Sequence, residues 1–249
     1  MKRSGRILFT YLTLLASVPA YSNGFKDFYQ SYDEKSADYI VSKSTPKIYN
    51  SVDLDADTKR LLEDGYNVLG VSSFIGPQED QKHAINLAKK IHSEIIIIKY
   101  RFVETVSGGT QVVMMPVIGG YGGMIGGAHP VSINRYEQTA FFFAKLAPEK
   151  VSWGVRWEPL KTQQATAIGL GKGISVIAVI RGSPAFDANV LSGDIILTVA
   201  GEDISTPERL LKVKTDYAGQ SVLLSILRAG QPQTLRISMP TLAAGQARK

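Results

Sequence analysis

Apolar and polar positions fall into two differently patterned blocks that meet near residue 148. In the first, residues 66–74 (Y-N-V-L-G-V-S-S-F) alternate well enough to predict a strand. Gly76 and Pro77 are placed to open a helix, with Gln78, Glu79 and Asp80 in its first turn, where acids suit the positive dipole end. Ala84, Leu87, Ala88 and Ile91 then recur at helical spacing, while Lys82, Asn86, Lys89 and Lys90 point elsewhere. Residues 94–103 (E-I-I-I-I-K-Y-R-F-V) form a β-branched run that reads as a strand buried on at least one face. The unit predicted is β-α-β, most simply with its two strands parallel and adjacent. A brief helix is expected over residues 57–64, ended by Gly65.

In the second block, residues 174–180 predict a buried strand, and Gly182-Ser183-Pro184 a turn leading into a short helical turn. Gly193 and Asp194 set up a further strand, with Asp194 read as a turn residue rather than a catalytic acid. Ser205 or Thr206 caps a helix begun by Pro207 and Glu208, whose core face is Leu210, Leu211 and Val213. Residues 221–231 add a strand and turn, and the tail at 241–249 is expected to fray. The fold class expected is α+β: a small N-terminal α/β module over 51–147, and a partly open barrel with two helices over 150–240.

Within the first block, residues 111–131 carry no acid, Lys or Arg and are rich in glycine. Gly119, Gly123 and Gly127 recur every four residues, the spacing of packed transmembrane helices. Pro116 and the paired glycines disfavour a helix, so a long flexible hairpin with a glycine-rich loop at 108–130 is the favoured reading. Such a loop is a plausible contact surface. Membrane contact through 112–131 is the weaker alternative.

The N-terminus has a basic start (Lys2, Arg3, Arg6), an apolar stretch and a small-residue exit at Val18 and Ala20, the pattern of a secretory signal peptide over 1–20. The stretch is too short to span comfortably as an anchor. Residues 21–50 then read as a docked segment followed by a linker around 42–46. The formal charge of +6 falls to +3 once Lys2, Arg3 and Arg6 leave with the signal, and no dense basic face argues for nucleic acid. With no cysteine, disulfides, a thiol nucleophile and a lipoprotein anchor are excluded. Periplasm or secretion is the expected address.

The order V-S-W-G-V-R-W (151–157), I-S-V-I-A-V-I-R-G-S-P-A (174–185), S-G-D-I-I-L-T-V-A-G-E-D-I (192–204), helix and S-V-L-L-S-I-L-R-A-G-Q (221–231) resembles a PDZ domain. The form is the strand-permuted one that follows the protease domain of periplasmic HtrA/Deg proteases. That resemblance implies capture of a peptide C-terminus by backbone amides and addition of the peptide as a strand. It implies that Ser152, Trp153, Gly154 and Val155 form the carboxylate-binding loop and that Val155, Arg156 and Trp157 form the receiving edge. A helix over 160–168 is expected as the groove's other wall, with Thr162, Ala165, Thr166 and Ile168 toward the peptide; the later helix is expected apart from it. Trp153, Val155 and Ile168 are the candidate pocket for the last side chain, with an apolar C-terminus as ligand. Gln163, where a histidine usually reads a ligand hydroxyl, implies no such preference. Gly154 is expected to admit the ligand's backbone, so Gly154→Trp or Gly154→Glu is expected to block binding in a folded protein. Lys150 and Arg156 could attract the carboxylate over distance. More loosely, Gly65, Tyr66, Gly70 and the apolar strand after the helix resemble a small α/β module of bacterial envelope proteins, including the outer-membrane sensor lipoprotein of the Rcs stress pathway.

No catalytic set emerges. The histidines are His83, His92 and His129, and no aspartate lies between His83 and Ser107. T-V-S-G-G (105–109) lacks the first glycine of the protease turn, and residues 70–74 end in Phe74 where a nucleophile elbow needs glycine. Gly169–Gly173 lies between a helix and a strand, the reverse of a phosphate loop. No metal or cofactor is expected. The reading is an exported, non-catalytic binder of C-termini or extended segments of envelope or secreted proteins. The rivals are an adaptor for a separate protease, and a cryptic hydrolase using Ser72, Ser73 or Ser107.

Overall fold

A computed structural model describes residues 23–32, 38–42, 44–116, 124–160 and 173–241. It is an α+β chain with two sheets. The first contains β1 (Tyr29–Ser31), β2 (Lys47–Asn50), β3 (Tyr66–Pro77), β4 (Ile95–Pro116) and β5 (Met124–Lys145). Its spatial order is β1-β3-β5-β4-β2. Three helices pack on it: α1 (Gly24–Asp27), α2 (Leu54–Glu63) and α3 (Gln81–Lys90).

The expected adjacency of the strands flanking α3 is corrected here. β5 lies between β3 and β4, antiparallel to both, so those two strands are parallel but do not touch. The segment before residue 51, expected as docked chain and linker, supplies both edge strands, with β2 parallel to β4. The helix start also moves. Pro77 ends β3, and Asp80 is the N-cap of α3, its carboxylate accepting from the Lys82 amide at 2.8 Å.

The apolar runs follow from burial on both faces. Ile96, Ile98, Ala140 and Phe142 join Phe25, Phe74, Ala84, Leu87 and Ala88 under α1 and α3. The alternate set, Ile95, Ile97, Phe141 and Phe143, packs with Leu54 of α2. A central strand covered on both sides reads as a continuous hydrophobic run rather than an alternation.

β4 and β5 continue as a ladder to Pro116↔Met124, long after β2 and β3 have ended. The expected loop at 108–130 is therefore mostly paired strand, and Gly127, opposite Val113, belongs to that ladder rather than to a helix. Over Thr105 to Pro116 the ribbon extends about 40 Å at 3.3 Å per residue. Ion pairs mark its root: Arg135 with Glu104 at 2.8 Å and Arg101 with Glu137 at 2.6 Å.

The second sheet runs β11-β10-β8-β7-β6, with β9 on β8. Its strands are β6 (Val155–Pro159), β7 (Ile174–Val179), β8 (Ile195–Val199), β9 (Glu202–Asp203), β10 (Ser221–Arg228) and β11 (Gln231–Ser238). Two helices, α4 (Pro184–Asp187) and α5 (Pro207–Asp216), flank it. Ser183 caps α4 and Thr206 caps α5. Leu210 and Val213 are buried, but Leu211 is 66% exposed, because one residue past Leu210 turns about 100° from the core.

The two units touch where α2 ends. The Arg181 amide donates to the Glu63 carbonyl at 2.8 Å, and its guanidinium pairs with Glu63 at 3.1 Å and with Asp64. These side chains are partly exposed, so Arg181→Ala is expected to cost no more than about 1 kcal/mol in urea unfolding. A loss of several kcal/mol would show that the ion pairs, rather than the backbone bond and apolar contacts, hold the units together.

Candidate functional site

The head of β6 is built by the chain just before it. After the single 3-10 turn Pro148–Lys150, Val151 is right-handed (φ −62, ψ −30) and Ser152 left-handed (φ 56). That succession turns consecutive amides toward one point and makes a small anion-binding concavity. The Gly154 amide is committed to the Val151 carbonyl at 3.1 Å, whereas those of Ser152 and Trp153 donate to no carbonyl among the described residues. Among the described residues, two donors therefore remain at the turn.

β6 closes the strand order of its sheet, paired with β7 and with no other described strand. The Ile180 amide donates to the Gly154 carbonyl at 2.8 Å, so in antiparallel alternation Val155 turns its own amide and carbonyl to the outer side. An unpaired row of this kind is a template for another strand.

Side chains depart from expectation. Trp153 is 1% exposed and, with Val155, sits in the core with Leu210, Val213 and Leu224. Both were expected to line a pocket for the ligand's last residue; their side chains are enclosed by the domain's own core. Trp157 packs partly buried against the same cluster. Thr162, Ala165, Thr166 and Ile168, the expected groove wall, lie outside the described residues.

The described helix that borders the head of β6 is α5, contrary to the expectation that it stands apart. The Lys214 ammonium lies 5.9 Å from the centre of the Trp153 ring, and Leu210 and Val213 share that residue's core. Lys214 was missed because it follows the buried Val213 and reads as an ordinary exposed charge. Burial, and then the Arg156 charge, lower its pKa.

Gly154 has a second reason for being glycine. Its φ is +90, and a Cβ placed on it would lie 1.9 Å from Ser183 Oγ and 2.1 Å from Ser183 Cβ. Any side chain there collides with the cap of α4, so the bulky variants expected to stay folded would not. Lys150 is engaged as well, bound to Asp38 at 2.6 Å, which raises its pKa.

Two of the three hydrolase candidates are held in the fold. Ser72 is fully buried and donates to the Phe25 carbonyl, and Ser73 exchanges a hydrogen bond with Thr139 at 3.0 Å. His83 meets Glu79 at 3.2 Å, and Glu79 accepts from the Gly24 amide at 2.7 Å, tying α1 to α3. Among the described residues no cluster of three or more His, Asp or Glu could hold a metal ion.

Residues 152–239 match the PDZ domain family. Two curated relatives share that region. The magnetosome formation protease MamE of Paramagnetospirillum magneticum is 32% identical over 83 residues, which is 33% of this chain and 11% of that protein. The probable periplasmic serine endoprotease DegP-like of Chlamydia muridarum is 37% identical over 76 residues, 29% of this chain and 15% of that one. The chain thus spans well under a quarter of either relative. Among solved structures, the HtrA-type protease AlgW with decapeptide aligns at 28% identity and a TM-score of 0.31, over 40% of this chain and 36% of that one.

Proposed function

Residues 152–239 are a PDZ domain, and from that premise we propose that this is an exported, non-catalytic protein that captures peptide C-termini or extended segments by strand addition to β6. The observation that carries the reading is the Val151–Ser152 turn at the head of an edge strand, where the Ser152 and Trp153 amides donate to no carbonyl among the described residues. A terminal carboxylate seated on the Ser152 and Trp153 amides would start a ligand strand running antiparallel along Val155, Arg156 and Trp157. The enclosed Trp153 and Val155 act as the rigid floor that fixes the turn. Any groove wall from Thr162, Ala165, Thr166 and Ile168 would add contacts beside it. Export rests on the signal-peptide pattern at 1–20. The absence of cysteine argues against a lipid anchor. Both relatives are named as proteases, one of them periplasmic, and they share only the PDZ part with this chain. That favours, as a second reading, an adaptor that presents envelope substrates to a separate protease.

The test is a titration of the mature chain with apolar-ended peptides carrying either a free or an amidated C-terminus. Charge-assisted hydrogen bonds to the carboxylate predict that amidation weakens binding about tenfold or more. Equal affinities would remove the terminus-capture reading. Co-purification with a protease, without binding of free peptides, would favour the adaptor.

A further inference from the structure

One basic residue of β6 has guanidinium nitrogens left unpartnered among the described residues. The Nε and Nη2 atoms of Arg156 are closed off from solvent and have no hydrogen-bond acceptor, and the Trp153 Nε1 is in the same condition. Guanidinium nitrogens enclosed without an anion are unfavourable, and native structures rarely leave them so. Its charged neighbour makes the imbalance worse, since Lys214 is a second cation close enough for Arg156 to disfavour its protonation. Lys214 has the Trp153 ring face for company at 5.9 Å and, among the described residues, no carboxylate paired with it. The acid nearest along α5, Asp216, is bound to Lys212 at 2.6 Å. The phenol of Tyr39 offsets the burial of Arg156 only in part. The border of β6 therefore holds two largely desolvated positive groups, one of them with two guanidinium nitrogens that lack an acceptor.

We propose that Arg156 and Lys214 form a cationic donor site for the carboxylate of an Asp or Glu side chain two or three residues before the C-terminus of the bound peptide. The proposal rests on the strand-addition reading above. The terminal carboxylate has its own donors in the Ser152 and Trp153 amides, so these cations are left for a second anion. Arg156 lies three to four residues past those amides, about 10 Å along an extended strand. A ligand running antiparallel from the turn passes it two or three residues upstream of its end. The guanidinium suits this role because its planar fork can hold a carboxylate through two parallel bonds.

The experiment compares apolar-ended peptides that differ by Asp or Glu against Asn or Gln at each of those two positions, titrated into the full mature chain. At one position the acidic peptide is expected to bind about tenfold more tightly than its amide counterpart. In Arg156→Met and Lys214→Met the ratio of acidic to neutral affinity is expected to fall toward one. A wild-type measurement that does not depend on how the variants fold accompanies it: the Lys214 side chain, followed by NMR, is expected to titrate at higher pH with the acidic peptide bound than with the neutral one. Neutral peptides that bind while acidic ones show no advantage would overturn this site and leave strand addition standing. An acid preference that survives both substitutions would also overturn it. Failure of every peptide to bind would remove both.

Discussion

Asp194→Ala is expected to lower the stability of the PDZ domain by about 3–5 kcal/mol. The carboxylate is 1% exposed and accepts from Arg228 at 2.8 Å (Nε) and 2.7 Å (Nη2), and from the Leu191 amide at 2.8 Å. Removing it strands a guanidinium whose protonated form the pair favours, with Asp194 the main cause. It also leaves the Leu191 amide without its acceptor, at the turn that feeds β8. Arg228→Ala should cost a comparable amount from the other side. The double variant should cost clearly less than the two losses added, since neither charge is then left alone. Urea unfolding of the three variants measures this. A loss below about 0.5 kcal/mol in Asp194→Ala would mean that water replaces the pair at no cost.

Gly154→Ala is expected to cost about 3 kcal/mol. The left-handed backbone accounts for about 1–2 kcal/mol, and overpacking against Ser183 for the remainder. The effect is separable. Ser183→Gly removes the colliding side chain and, as a cap replacement, should itself cost only a few tenths of a kcal/mol. Combined with Gly154→Ala it should recover most of the packing share, leaving the backbone share behind. If the double variant recovers nothing, the collision is not what makes glycine necessary. Either way, loss of peptide binding in a Gly154 variant reports on folding first, so the groove has to be tested by other means.

The second unit was largely legible because its signals are local. Gly182-Ser183-Pro184, Gly193-Asp194 and Thr206-Pro207 each specify a turn or cap within four residues, and each stands where the chain needs it. Asp194 reads locally as a turn former, which it is. Its partner Arg228 stands 34 positions away, and nothing near either residue announces the pair. The same limit explains the first unit. Residues 95–98 and 140–144 are recognisable strands, but whether β5 lies outside β4 or between β3 and β4 is decided by non-local pairing. The ribbon at 105–134 escaped because glycine and proline interrupt its alternation, leaving the ladder without a period-two signature. At the site, the turn before β6 was visible in the Trp153-Gly154-Val155 text. The approach of α5, and with it Lys214, was not, since a lysine following a core valine carries no mark of burial.

The central claim is that a ligand chain ends on the Ser152 and Trp153 amides and lies along β6. Its most direct test is a ¹⁵N–¹H NMR titration of the mature protein with a short apolar-ended peptide. The account predicts the largest downfield shifts at the Ser152 and Trp153 amides, and slowed hydrogen exchange at Val155, with contacts to the peptide running antiparallel along the strand. Saturable binding that leaves residues 152–157 unmoved, and instead perturbs β11 or the 105–134 ribbon, would contradict it.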